Sequence, residues 1–108
     1  MSIIKSNNLT KYDNLKVENK TDSKYIIGKV YTTQVDLNVR TGAGILYRKK
    51  EYNELSMNAQ QHAYKNGVLK KGTKVTCKKV ITETGETIWL EIPSGFVCAK
   101  WKGKEYIK

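Results

Sequence analysis

The sequence predicts a small, mainly β protein, and three observations support this. β-branched and aromatic residues are dense between Tyr25 and Arg40, a composition typical of strands. From Thr73 onward, strand-like runs recur about every ten residues, separated by glycine-containing turns, as in small barrels. The length of 108 residues leaves room for a single core. We therefore expect one small β barrel.

The clearest strand signal lies just before a glycine-rich loop. Val35, Leu37 and Val39 alternate with polar residues, which predicts one buried face and one wet face. Asn38 and Arg40 then stand on the wet face, next to the loop that begins at Gly42. Two roles stay open for them: Arg40 braces the loop through backbone carbonyls, or both side chains contact a ligand carbonyl or carboxylate.

Residues 45–71 are the least strand-like part of the chain. Apolar residues recur at helical spacing between Glu51 and Asn66, Ser56 is a candidate N-cap and Gly67 a candidate stop. We therefore predict a short helix inserted in the first long loop.

The final third predicts four strands, over residues 73–82, 87–92, 96–100 and 105–108, with turns between them. In the second of these, the period of two places Ile88, Leu90 and Ile92 on the core face. Trp89 and Glu91 then fall on the opposite face. Because a tryptophan is seldom left fully exposed, Trp89 is expected either to line a ligand groove or to cover one end of the barrel.

Residues 1–24 are polar, and we predict a flexible lead or linker there, with residues 25–108 as the folded domain. An alternative is that Leu15 and Val17 add a short strand to an edge. Met1 to Lys11 lacks the apolar stretch of a signal peptide. The chain is expected to be either an excised domain or an independent product.

The charge balance favours anionic partners. Twenty basic and ten acidic residues give a net charge of +10, which suits nucleic acid or an anionic cell wall. Only Arg40 and Arg48 are arginines, which disfavours sequence-specific DNA recognition. The apolar runs are far shorter than the roughly 20 residues of a membrane span, so no membrane contact is expected.

The residues available for catalysis or metal binding are few. His62 is the only histidine, and Cys77 and Cys98 are far apart in sequence without Cys-x-x-Cys spacing. We therefore expect no catalytic residue, no metal and no cofactor. For the two cysteines, burial as small apolar side chains and a disulfide between neighbouring strands both remain open.

Four segments, in order, resemble bacterial SH3 domains, small barrels that many cell-wall hydrolases use to bind peptidoglycan. The first is Leu37-Asn38-Val39-Arg40-Thr41-Gly42-Ala43-Gly44, and the others are residues 69–75, 88–92 and 95–97. The resemblance covers about Val30 to Lys108. An insertion of roughly 20 residues, over 48–68, departs from the simple family pattern, and its helix-bearing part, residues 55–64, is similar to that of clostridial phage endolysins and autolysins.

The resemblance implies a non-catalytic module that binds peptidoglycan beside a separate hydrolase domain, from a Gram-positive phage endolysin or autolysin. The expected ligand is a peptidoglycan stem or cross-bridge, with teichoic acid as a further candidate. The full-length lysin and a second copy of the chain are candidate protein partners. The implied location is the host cytoplasm until lysis and then the cell wall, or secretion to the wall. We expect the ligand-binding residues to be Asn38, Arg40, Tyr47, Tyr52, Trp89, Glu91 and Trp101.

Two other functions compete with this interpretation. A nucleic-acid-binding barrel would use the positive charge and exposed aromatic side chains as stacking platforms, although the lysine bias makes nucleic acid the less favoured partner. A protein-protein adaptor would oligomerise through the N-terminal segment.

Overall fold

The computed structural model describes residues 16–17 and 24–108. The strands in this part of the chain are β1 (Lys16–Val17), β2 (Val30–Thr32), β3 (Lys74–Thr76), β4 (Lys79–Thr84), β5 (Thr87–Ile92), β6 (Gly95–Trp101) and β7 (Lys104–Glu105). Most of the predicted lead segment lies outside the described residues. Lys16 and Val17, however, pair with β4 as an edge strand, which agrees with the alternative interpretation of that segment.

The strands form two antiparallel sheets. The larger has the order β1-β4-β5-β6-β7, and the smaller pairs β2 with β3. Consecutive strands from β4 to β7 are joined by tight turns, as the glycine positions predict. A bridge between Thr33 and Ile107 links the two sheets. The prediction of a mainly β fold is thus confirmed, although the described strands form two sheets rather than a closed barrel.

The strand predicted over residues 73–82 is two strands. The amide of Cys77 donates to the carbonyl of Lys29 at 2.9 Å, whereas the amide of Lys78 donates to the carbonyl of Glu91 at 2.7 Å. Neighbouring residues therefore pair with different sheets, and the chain turns a corner there. The buried positions also change parity at this point, from Val75 and Cys77 to Val80.

One apolar core lies between the sheets. Its members come from both sheets, from the segment before the glycine loop and from the insertion: Tyr25, Leu37, Val39, Leu55, Leu69, Val75, Cys77, Val80, Ile88, Leu90, Ile92, Val97, Ala99 and Ile107. The face predicted from the period of two in β5 is therefore correct, since Ile88, Leu90 and Ile92 all belong to the core.

The insertion carries the predicted short helix. A 3₁₀ turn (Tyr52–Glu54) is followed by α1 (Met57–Gln60), and the Ser56 hydroxyl caps α1 by accepting from the amide of Ala59 at 3.2 Å. Gly67 has a φ of 89° and lies in a separate turn beyond the helix end. In the part of the chain that the structure describes, no helix is long and apolar enough to cross a membrane.

Candidate functional site

The candidate site is built around the segment that leads into the glycine loop. Leu37 and Val39 are buried, Asn38 is exposed and Arg40 is half-buried, so the predicted alternation is observed. The backbone of Arg40 exchanges two hydrogen bonds with Phe96, of 2.8 and 3.0 Å. This pairing fixes the segment against the start of β6.

A row of side chains crosses the outer face of the larger sheet. Trp89 lies opposite Ile81 on β4 and opposite Cys98 on β6. The antiparallel pairing of Arg40 with Phe96 carries Asn38, two residues earlier, toward Cys98, two residues later. The outward face of β5 and the face of residues 35–40 that carries Asn38 and Arg40 therefore meet at Cys98.

These side chains border an open groove of about 210 Å³. Its lining combines one guanidinium, one carboxylate and an amide with aromatic and apolar groups: Asp36, Leu37, Asn38, Arg40, Ile45, Trp89, Cys98, Trp101 and Tyr106. Four of the seven side chains predicted from the sequence to bind ligand, namely Asn38, Arg40, Trp89 and Trp101, thus come together.

Trp89 is more deeply placed than the sequence suggests. Its side chain is outside the main core cluster, on the predicted face, yet only 2% of its surface is exposed. The reason is its central position, with Ile81 and Cys98 on either side in the row. Its indole nitrogen has no hydrogen-bond partner among the described residues. Trp89 therefore forms the floor of the groove, and the half-buried Trp101 is the more accessible ring.

Arg40 braces the loop through a backbone carbonyl, which was one of the two roles that the sequence left open. Its Nη1 donates to the backbone carbonyl of Tyr47 at 3.0 Å. The amide of Thr41 also donates to the carbonyl of Arg48 at 2.9 Å, which closes the loop at its base. The other guanidinium N–H groups remain on a side chain that lines the groove, so the bracing role leaves donors for a ligand.

A second hollow, of about 400 Å³, adjoins the groove and shares Ile45 and Trp101 with it. Its walls come largely from the loop tip, whose side chains are unusually exposed: Ile45 by 56%, Leu46 by 96% and Tyr47 by 53%. The carboxylate of Glu83 also lines this hollow. Tyr47, a predicted binding residue, thus contributes to the adjoining hollow rather than to the groove.

Two predicted site residues lie elsewhere. Tyr52 is half-buried and borders a separate depression with Glu51, Asn53 and Lys65. Glu91 is on the same outer face as Trp89, but its carboxylate is 3.9 Å from the ammonium of Lys79 and does not line the groove. The structure therefore does not bring Tyr52 or Glu91 together with the other five residues.

Several groove residues were missed from the sequence. Cys98 was expected either as a buried apolar side chain or in a disulfide, and its place beside Trp89 depends on strand register. Asp36 and Tyr106 also line the groove, and both are held by residues distant in sequence: the Asp36 carboxylate accepts from the amide of Lys71, and the Tyr106 carbonyl accepts from the amide of Gln34. Ile45 could have been found from the sequence, because an apolar residue directly after a glycine turn has no strand or helix of its own to bury it.

The cysteines are both free, and they differ in setting. Cys77 belongs to the core, whereas Cys98 lines the groove. Burial, with a smaller contribution from the charge of Glu83, raises the pKa of the Cys98 thiol to about 11, and the charge of Arg40 acts in the opposite direction. Cys98 thus lies within electrostatic reach of both a positive and a negative side chain. Among the described residues, no group of three or more side chains suits a metal ion.

The basic run after the loop is engaged within the protein. Arg48 makes a bidentate pair with the carboxylate of Glu54, at 2.9 and 2.7 Å. Lys49 donates to the backbone carbonyl of Asn66, and Lys50 to that of Ser94. These three cations therefore fasten the loop to the insertion and to the β5–β6 turn.

Comparison of the chain with models of protein families, with curated proteins and with solved structures finds no match. The relation to bacterial SH3 domains thus stays a prediction from the four sequence segments.

Proposed function

We propose that the chain is a non-catalytic cell-wall-binding module of the bacterial SH3 type, from a Gram-positive phage endolysin or autolysin, and that it takes a wall peptide in the groove. The observation that carries the proposal is the convergence of Asn38, Arg40, Trp89 and Trp101 on that groove. The four ordered sequence segments supply the choice of ligand class.

The groove chemistry suits an extended peptide. Asn38 offers both a donor and an acceptor for a backbone amide, and Arg40 offers charged donors for a carbonyl or carboxylate. Trp101 presents a flat apolar surface on which a peptide plane or sugar ring stacks. Because the loop is held by Arg40 and by its closed base, little ordering cost accompanies binding.

The excess of positive charge supports retention near an anionic wall. The net charge of +10 attracts teichoic acid phosphates over a long range, and salt weakens that attraction. In this proposal the groove gives selectivity, and the surface lysines give non-specific hold. The module accompanies a separate hydrolase domain and acts at the wall after lysis or secretion.

Co-sedimentation with purified Gram-positive walls at about 150 mM salt, where loose phosphate contacts weaken, tests the proposal. We expect Trp101→Ala to lower the bound fraction at least fivefold. Tyr64→Ala is the matched control, because Tyr64 is an exposed aromatic residue, 45% accessible, that does not line the groove. Equal binding of both variants would contradict the proposal that the groove binds the wall ligand. Retention of labelled DNA in a gel shift, without wall binding, would favour the nucleic-acid alternative.

A further inference from the structure

The hollow beside the groove has the features of a site for an amine on an aliphatic chain. Ile45, Leu46 and Tyr47 form apolar walls, Trp101 supplies an aromatic face, and Glu83 supplies a carboxylate. Aliphatic side chains that end in an ammonium pack their methylene groups on apolar surface and keep the charge at a polar rim. Each part of such a group therefore has a counterpart in the hollow.

Glu83 has no ion pair among the described residues, as is also true of Asp36, Glu51 and Glu86, but of these four it alone lines the hollow. Within the described residues, the three ion pairs involve Lys24 with Glu105, Arg48 with Glu54 and Lys79 with Glu91. Glu83 has no cation within ion-pair distance in that part of the chain, although basic residues are twice as numerous as acidic ones in the sequence. An unpaired carboxylate beside exposed apolar side chains favours a cationic ligand.

Trp101 already contacts a cation on its ring. The ammonium of Lys102 lies 5.7 Å from the centre of the Trp101 ring, a distance at which a ring face attracts positive charge. The Trp101 ring thus has the electrostatic character that an ammonium group requires of an aromatic partner.

We propose that the hollow lined by Leu46, Trp101 and Glu83 binds a free primary amine carried on an aliphatic side chain of the peptide whose backbone lies in the groove. This inference rests on the proposed function. The ligand is then a peptide with an unlinked amino side chain. The groove offers it the positive charge of Arg40 for a carbonyl or carboxylate, and the hollow offers the negative charge of Glu83 for the ammonium.

The test uses walls stripped of teichoic acids, half of them N-acetylated with acetic anhydride, with the full-length chain as probe. We expect acetylation to weaken binding of the unaltered protein at least threefold. Glu83→Gln should bind untreated walls at least threefold more weakly than the unaltered protein does. Acetylation should change the binding of this variant by less than a factor of 1.5. Glu86→Gln, a carboxylate change on the same hairpin outside the hollow, should behave as the unaltered protein.

General electrostatics predict the opposite trends. Acetylation makes walls more negative, and Glu83→Gln makes the protein more positive, so both changes would strengthen non-specific attraction. A loss in both cases therefore reports the amine contact. Equal binding to both wall preparations, or equal losses in Glu83→Gln and Glu86→Gln, would overturn the inference and leave the groove in place. Absence of binding to either preparation would overturn the proposed function, and the inference with it.

Discussion

The guanidinium of Arg40 holds the carbonyl of Tyr47 across the glycine loop, at 3.0 Å from Nη1 to oxygen. This bond spans the loop tip that carries Ile45 and Leu46, so a side chain that lines the groove is bonded to the loop that forms the apolar wall of the hollow. The loop is consequently a fixed structure rather than an unsupported connection between strands.

Arg40→Lys should loosen this loop without unfolding the protein. A lysine keeps the charge but lacks the planar donor fork, and loss of a charge-assisted hydrogen bond is expected to cost about 1.5 kcal/mol, roughly tenfold in local opening. Hydrogen exchange of the Thr41 and Tyr47 amides should accelerate accordingly. Arg48→Lys is the control, since the Arg48 side chain pairs with Glu54 and not with the loop tip; equal acceleration in both variants would contradict the bracing role.

Gly42→Ala should displace the ring of Tyr47. A Cβ at this position would lie 2.6 Å from the Tyr47 Cδ1, well inside van der Waals contact, and Tyr47 is free to swing outward because it is half-exposed. We expect a stability loss of about 1 kcal/mol, at the low end of the usual cost of overpacking, together with a clear loss of wall binding. Gly85→Ala, which meets open space, should change neither quantity.

The Arg48–Glu54 pair should make stability sensitive to acid. The hydrogen bond from Arg48, followed by that from the Glu51 amide, lowers the pKa of Glu54 from 4.5 to about 2. Because the folded-state pKa is the lower one, the stabilisation is complete above pH 4.5 and is lost as the pH falls toward 2. The Tm of Glu54→Gln should therefore be lower than that of the unaltered protein at pH 7, and the two Tm values should converge near pH 2. A constant difference across this range would exclude the pair as the cause.

Lys102→Asn should stabilise the β6–β7 hairpin. Lys102 is the one non-glycine residue with positive φ, 48°, in the described part of the chain, and Gly103 follows it with a φ of 90°. Asparagine before glycine is the preferred sequence for such a turn, so we expect a gain of about 0.5 to 1 kcal/mol, a rise in Tm of several degrees. Lys65→Asn controls for the loss of charge. An unchanged Tm in Lys102→Asn would show that the turn carries no conformational strain.

Trp89 and Trp101 should differ in what their replacement costs. Only 2% of the Trp89 surface is exposed, so Trp89→Ala leaves a cavity and is expected to lower the free energy of unfolding by about 3 to 5 kcal/mol. Trp89→Phe should cost less, because it also removes an indole donor that lacks a partner among the described residues. Urea unfolding midpoints would contradict this placement if Trp89→Ala were no more destabilising than Trp101→Ala.

Local patterns predicted much of this fold. The alternation from Val35 to Val39 was sufficient to place Asn38 and Arg40 on the groove side, because a strand with period two has only two faces. The cap at Ser56 likewise depends on neighbouring residues alone. The mainly β class and the short inserted helix followed from signals of this kind.

Features that depend on pairing between distant residues were not predictable. The corner between Cys77 and Lys78 arises because the two residues bond to different sheets. The alternation in β5 gave the correct face for Trp89 but not its burial, which depends on Ile81 and Cys98 in neighbouring strands. Tyr52 could not be placed for the same reason, since its position depends on how the insertion packs.

Chemical-shift mapping would show residue by residue where a wall peptide binds. Soluble wall peptides released from teichoic-acid-free peptidoglycan are titrated into the ¹⁵N-labelled chain, and the backbone and indole N–H signals are followed. We expect the shifts to concentrate at Asn38, Cys98 and the indole of Trp101, with Tyr52 and Tyr64 unaffected. Shifts confined to the insertion, or none at saturating peptide, would contradict the assignment of the groove as the ligand site.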